Sequence, residues 1–427
     1  MRKGSFWQIL ANRNFLKIGS VQIFSLVSAY TLNFILIGRI FGVTHSTVAV
    51  SFFLFLYYLP TMILGPFIGV FIDNFNKRKI FVLTNLFQAV IVLAYLGVGE
   101  KIWSAYVIVF LYSLGDELFN PAVGAALPAL VKKKSWQTAN TFFLLTTQSS
   151  IMVGSLIGGL ALKFFKWVDL TFLLVSLMLF LAVAISLSLP KKPLRGIKKL
   201  KIDFSDLSNL GAVLDLPNFW RQVKEGYQFI RNEPFILFPI LLLSGLQGLV
   251  AMALIILPSL AAMLKINFAD SSYLVIIPAI LGVVLASFFV NKTVQKVRKN
   301  ILVLTGLYLA GGSILLLSLL TLFGQHPFIV GLPFFLILGA SAVLVLIPLQ
   351  TLIQEYTPFN VRGRVFSTLN TMINLGTVLP LLVTATLVDI FGVRFILLMA
   401  GLFIILLGVF AQKKRAMIII VDSQEKK

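Results

Sequence analysis

The chain has 427 residues, of which 59% are hydrophobic and only 12% charged, with a mean hydropathy of +0.98. Soluble domains carry about 25% charged residues, so a water-soluble globule and a disordered chain are both excluded. An outer-membrane barrel is excluded as well, because the apolar runs far exceed the roughly 10 residues of a barrel strand. The net charge of +21 would suggest nucleic acid in a soluble protein, but here its placement gives another meaning.

Twelve apolar stretches follow one another, at about 15–37, 46–71, 80–98, 103–130, 141–164, 168–189, 234–258, 270–290, 300–323, 327–350, 366–390 and 393–411. Hydrocarbon offers the backbone no hydrogen-bond partner, so each is expected to be a helix. The first is too long for a cleavable signal, and the rest of the chain continues in the same style. With the N-terminus inside, alternation puts 30 of the 36 Lys and Arg residues on the cytoplasmic side. The positive-inside rule then predicts that both termini are cytoplasmic. The charge is read as a topology signal in contact with anionic lipid, with no nucleic-acid partner.

The longest connection, 191–232, is basic and ends in an amphipathic stretch, Trp220 to Arg231, suited to a membrane surface. It divides the chain into a six-helix bundle at 1–190 and a second, with a short tail, at 233–427. A 6+6 arrangement about a basic linker is a layout of transporters built from repeats. The chain has no Cys, its two histidines (His45 and His326) fall in predicted loops, and no P-loop sequence occurs. No metal, no cofactor and no enzymatic constellation is expected.

Between the second and third stretches the chain reads Gly69-Val70-Phe71-Ile72-Asp73, then Asn74-Phe75-Asn76-Lys77-Arg78-Lys79. Gly69 permits close helix approach. Asp73 stands at a helix end where it can pair with a basic group or a helix N-terminus, which makes a conformational latch of Gly69, Asp73, Lys77 and Arg78. Gly154, Gly158 and Gly159 give the fifth stretch a face of small residues for helix packing.

These stretches resemble the major facilitator superfamily. Gly69 to Lys79 matches its signature loop, with Asn74 and Asn76 where a basic residue and Gly are usual. Other segments resemble the drug:proton antiporter branch that includes macrolide-efflux-type proteins. They are Asn12-Arg13-Asn14-Phe15-Leu16 with Gln22 and Ser25, Phe119-Asn120-Pro121-Ala122, Leu127-Pro128-Ala129-Leu130-Val131, Lys224-Glu225-Gly226 and Arg362-Gly363-Arg364-Val365-Phe366. The resemblance runs over nearly the whole chain and implies twelve helices in two bundles around a cavity. It also implies that Arg362 and Arg364 contact a cytoplasmic gate. Ser155 stands where the antiporter motif of the fifth helix carries Pro.

Asp116 and Glu117 lie mid-way along the fourth stretch and are the acidic residues set deep in a span. A charge there costs roughly 2.5–3.5 kcal/mol on insertion scales. Two adjacent carboxyls also resist double ionisation, which suits a group that takes up and releases a proton. Ser113, Asp116, Asn120 and Gly124 share a helix face. Asp116, Glu117 and Asn120 are the candidates for proton coupling or for contact with a cationic substrate. Gln22, Ser25, Gln148, Gln247, Asn370 and Asn374 are candidate polar groups of a cavity.

The function expected is secondary active transport at the cell membrane by alternating access, with protons driving efflux of hydrophobic or cationic compounds. The partners are then a small molecule, a proton and membrane lipids, and a monomer suffices. The alternatives are a lipid or lysophospholipid transporter, a uniporter or importer of a small solute, and a non-transporting receptor or assembly factor.

Overall fold

The computed structural model describes residues 11–98, 101–131, 136–164, 168–190, 194, 221, 227–228, 230–293, 297–320, 327–357 and 362–413. Every regular element among them is helical. In chain order these are α1 (Arg13–Thr44), α2 (Thr47–Asn74), α3 (Lys77–Val98), α4 (Ile102–Leu130), α5 (Trp136–Phe164) and α6 (Val168–Leu187). Then come α7 (Pro234–Met263), α8 (Ile277–Thr293), α9 (Lys299–Leu320), α10 (Pro327–Tyr356) and α11 (Arg362–Lys413). A 3-10 turn (Phe268–Asp270) and a π turn (Ser272–Ile276) lead into α8.

Among the described residues, 11 helices are long and apolar enough to cross a membrane, where the sequence predicts twelve. The difference lies in α11, which runs the last two predicted stretches together. Gly392 interrupts it with a left-handed, non-helical backbone (φ 81°, ψ 160°) that glycine adopts without steric cost. The close glycine contacts of the two segments of α11 are made with different helices. Before the break, Gly376 lies against Ser244 and Gly248 of α7. After it, Gly401 lies against Gly311 and Leu315 of α9, and the Arg394 carbonyl accepts a hydrogen bond from Ser318 Oγ at 3.2 Å.

The chain forms two compact units, Met1–Thr44 with Phe53–Leu216, and His45–Phe52 with Pro217–Lys427. In the first unit α1 packs on α4, α5 and α6, and α3 packs on α4 and α6. In the second, α7 packs on α10 and α11, and α9 packs on α10 and α11. Helices in corresponding positions thus pair alike, as expected of a structural repeat. Phe15, Ile18, Phe81, Phe119 and Phe143 are central to the core of the first unit. The core of the second is aliphatic, built on Ile240, Leu307, Leu349 and Ile353.

Several helix ends are satisfied by side chains. Asn12 caps α1, its Oδ1 accepting from the backbone N–H groups of Asn14 (3.0 Å) and Phe15 (3.2 Å). Its Nδ2 donates to the Leu130 carbonyl at the end of α4 (2.9 Å). The second unit includes the first turns of α2, where the Asp389 carboxylate accepts from Ser46 Oγ (2.9 Å) and the N–H groups of Thr47 (3.0 Å) and Val48 (3.2 Å). A carboxylate at a helix N-terminus is favoured by the helix dipole as well as by these donors.

Of the 191–232 linker, Leu194 is buried and its carbonyl accepts from the Lys77 N–H (3.0 Å). Ile230 is buried, while Arg221, Tyr227, Gln228 and Arg231 are exposed. The rest of the predicted amphipathic segment, His326 and the tail beyond Lys413 lie outside the described residues.

In the second unit α8 and α10 meet through glycine. A Cβ on Gly339 would sit 1.7 Å from the Ala279 carbonyl oxygen, and one on Gly282 would sit 1.9 Å from that of Leu336. Backbone cannot yield as a flexible side chain does, so Gly282→Val and Gly339→Val are each expected to destabilise by at least about 1–3 kcal/mol. Gly312, with nothing within 4 Å of its Cβ position, is the control. Thermal unfolding in detergent should show both valine variants melting well below wild type and Gly312→Ala melting with it.

Candidate functional site

The acidic pair lies within the first unit. The mid-part of α4 carries Tyr112, Gly115, Asp116 and Glu117, and is faced by α2 and α3. Asp116 is only 5% exposed. Its Oδ1 accepts from Gln88 Nε2 at 2.8 Å, and its Oδ2 from Tyr57 Oη at 3.3 Å. Glu117 is half-buried and accepts a hydrogen bond from Thr61 Oγ1. Tyr57 and Thr61 are four residues apart and so share one face of α2. Each carboxyl receives one hydroxyl from that face.

Gln88 is fully buried on α3, and its Nε2 also donates to the Tyr112 carbonyl at 3.1 Å. It reaches α4 because residue 115 is Gly: a Cβ there would come within 2.8 Å of Gln88 Cγ. Two buried atoms of this cluster, Gln88 Oε1 and Tyr112 Oη, have no hydrogen-bond partner among the described residues. Tyr30 on α1 adds a further phenol in the electrostatic field of Asp116. Tyr58 packs edge-on against Tyr57, with ring centroids 5.3 Å apart. Among the described residues no Lys, Arg or His pairs with either carboxyl. The arrangement is therefore two acids in an apolar surround, held by neutral donors and lined by aromatic rings.

The other predicted residues are dispersed. Ser113 is buried and bonds back to the Phe110 carbonyl of its own helix, whereas Asn120 and Gly124 on the same face are exposed. Gln22 is tied to α5, donating to Thr147 Oγ1 (3.2 Å) and accepting from Thr146 Oγ1 (3.4 Å). Ser25 is buried with its hydroxyl unpartnered, and Gln148 and Gln247 are half-buried. Gly154 and Gly158 face α1: a Cβ on Gly154 would meet the Val27 carbonyl at 2.8 Å, and one on Gly158 would meet Phe34 at 3.1 Å. Thr31 Oγ1 donates to the Gly154 carbonyl there (3.1 Å), and Gly159 is buried beside them.

Of the signature loop, Gly69 and Asp73 fall in α2, but their side chains lie outside the described residues, as do those of Arg362, Arg364, Asn370 and Asn374. Lys77 is buried. Arg78 donates to the Ser186 carbonyl from Nε (3.3 Å) and to that of Leu187 from its guanidinium, and Lys17 Nζ donates to that of Ser188 (2.9 Å). These cations satisfy the carbonyl end of α6, where the helix dipole favours positive charge.

Tyr57, Thr61, Gln88 and Gly115 complete the acidic site, and all but Gln88 do not stand out in the sequence. Gln88 had a signal, as a buried-span amide in an otherwise apolar stretch. The Tyr57-x-x-x-Thr61 spacing is too common to single out a site.

A sequence profile of the Major Facilitator Superfamily matches residues 18–380. The chain belongs to the major facilitator superfamily. It is a transporter family, and with its membrane-spanning helices this places the protein as a multi-pass component of the cell membrane. This superfamily member is 26% identical to the MFS-type transporter YfiS of Bacillus subtilis, over 82% of this chain and 80% of that protein. It is 24% identical to macrolide efflux protein A of Streptococcus pyogenes, over 96% of each. Among solved structures it resembles a POT family transporter in complex with 5-aminolevulinic acid, with a TM-score of 0.70 and 13% identity over 96% of this chain and 97% of that one. At that identity the likeness is one of fold.

The Thr61–Glu117 contact makes a test of whether α2 and α4 are coupled through the site. Thr61→Val and Glu117→Leu are each expected to change stability, and the double variant to show a non-additive coupling of about 1.5–3 kcal/mol, the range for a hydrogen bond to a charged group. Melting temperatures of the four proteins in detergent measure it. Additive values would show that the two side chains act independently.

Proposed function

We propose that this transporter exports hydrophobic, cationic compounds in exchange for protons, with Asp116 as the principal proton site and Glu117 beside it. The observation that carries the reading is the acidic pair itself, Asp116 buried and Glu117 half-buried, unpaired by any described cation and held by neutral hydroxyl and amide donors. A permanent ion pair would hold a carboxyl in one state. Neutral donors leave it able to exchange its counter-charge between a proton and a substrate cation. Phenol rings also attract cations through their faces, by about 0.5–2 kcal/mol each, and Tyr30, Tyr57 and Tyr58 supply three near the site.

In the cycle, substrate cation and proton compete for the same carboxyl, and alternating access carries each across in its own direction. The efflux named for macrolide efflux protein A, similar over 96% of both chains, supports export as the direction. The reading includes twelve spans, with α11 contributing two on either side of Gly392, and both termini cytoplasmic. One chain suffices as the working unit.

The test is efflux of a lipophilic cation such as ethidium from cells, with and without an uncoupler. Wild type should show uncoupler-sensitive efflux. The Asp116→Asn/Glu117→Gln double variant should lose at least about tenfold of it, equivalent to about 1.4 kcal/mol, at equal amounts of folded protein. Full coupled efflux from the double variant would overturn the assignment of the proton site. Ser155 leaves α5 an unbroken helix from Trp136 to Phe164, which favours uniport as the second reading; flux indifferent to the pH gradient would select it.

A further inference from the structure

Asp116 has two oxygens in different surroundings, and Gln88 makes them inequivalent. The Gln88 amide lies against the Tyr112 carbonyl (3.1 Å) and Asp116 Oδ1 (2.8 Å). A backbone carbonyl only accepts, so the amide end facing it is the NH2 group, and this fixes the orientation of the amide independently of the carboxyl. One of its two hydrogens goes to Tyr112 and the other to Asp116. A proton on Oδ1 in the position that the Gln88 amide occupies would point at a donor, so Gln88 disfavours protonation there and keeps Oδ1 an acceptor. Gly115 makes the fit possible, since a Cβ there would overlap the Gln88 side chain at 2.8–2.9 Å. The other oxygen, Oδ2, faces Tyr57 Oη at 3.3 Å. A phenol both donates and accepts, so Tyr57 suits either state.

We propose that Gln88 is a positioning residue that directs the exchanged proton to Oδ2 of Asp116, so that Tyr57 on α2 senses the change. This rests on the reading of Asp116 as the proton site. When Asp116 is ionised, the Tyr57 hydroxyl donates to Oδ2. When it is protonated, Oδ2–H donates to Tyr57 Oη and the phenol hydrogen turns elsewhere. No covalent bond changes apart from the O–H formed on Oδ2. The titratable groups around Asp116 are Tyr30 from α1, Tyr57 from α2, and Tyr112 and Glu117 from its own helix, with Tyr58 behind Tyr30 and Tyr57. Gln88 is the contact from α3. The phenols are neutral at physiological pH, so among the described residues Glu117 is the one neighbouring group able to carry charge.

Infrared difference spectroscopy of the full-length protein in lipid nanodiscs, titrated with pH, tests this. The carboxylic C=O band that Asp116→Asn removes is the band of Asp116. With the proton on Oδ2, the carbonyl oxygen is Oδ1, hydrogen-bonded by Gln88, and its stretch is lowered. Gln88→Met is expected to move the band to higher frequency, while Tyr57→Phe leaves its frequency in place and shifts the pH at which it appears. Gly115→Ala, which keeps Gln88 but displaces it, is expected to reproduce the upward move and serves if Gln88→Met folds poorly. A band that moves in Tyr57→Phe but in neither Gln88→Met nor Gly115→Ala would put the proton on Oδ1 and overturn the inference. If wild type shows no titrating band that Asp116→Asn removes, the proton-site reading itself fails, and the inference with it.

Discussion

A backbone amide in hydrocarbon has no water to bond, and this constraint shapes every level of the protein. It turns each long apolar stretch into a helix, which closes its own hydrogen bonds. The groups it leaves open are at the helix ends, and the structure closes those individually. Asn12 covers the N-terminus of α1 and the C-terminus of α4 at once. Asp389 takes three donors at the start of α2. Lys17 and Arg78 bond the last carbonyls of α6. Asn12, Lys17 and Arg78 sit near the end of an element and Asp389 near the Gly392 break, and the three charged residues match the sign of the helix dipole they meet.

Once the helices are formed, apolar surface no longer drives their association, because lipid is as apolar as leucine. Close packing has to do so, and small residues permit it. Gly154 and Gly158 bring α5 onto α1 in the first unit, and Gly376 and Gly248 bring α11 onto α7 at the corresponding place in the second. Gly282 and Gly339 allow the tightest approach, between α8 and α10. Gly115 serves a different purpose, since the space it leaves is filled by a polar side chain, Gln88, and not by backbone. A packing device is thus adapted to hold an amide against Asp116.

The acidic pair runs against the same constraint, because a charge in an apolar interior is costly. Asp116 and Glu117 are stabilised by partners that fit either protonation state: an amide, a phenol and a hydroxyl. That choice of partner is what motivates the proposed role in proton exchange. It also links the chemistry to the scaffold, since the hydroxyls of Tyr57 and Thr61 belong to α2 while the acids belong to α4. Any change in how the carboxyls are bonded is felt first where those two helices meet.

The sequence by itself determined the all-helical membrane class, the resemblance to the superfamily and the position of the acidic pair, since each follows from local patterns: long apolar runs, short motifs and carboxyls amid apolar residues. Most boundaries were legible to within about five residues, while the ends of α1 and α10 and the start of α8 lie further along the chain than the apolar runs suggested. At 390–393 the boundary between the last two stretches coincides with the break at Gly392, although α11 otherwise runs on without a loop. Only the tertiary structure decided what surrounds Asp116. Tyr57, Gln88 and Asp116 come from three helices and are separated by 28 residues or more, so no spacing rule joins them. It likewise separated residues that one helix face had grouped, burying Ser113 and Asp116 while leaving Asn120 exposed. Periodicity tells which residues share a face; what covers each part of that face depends on how neighbouring helices cross it.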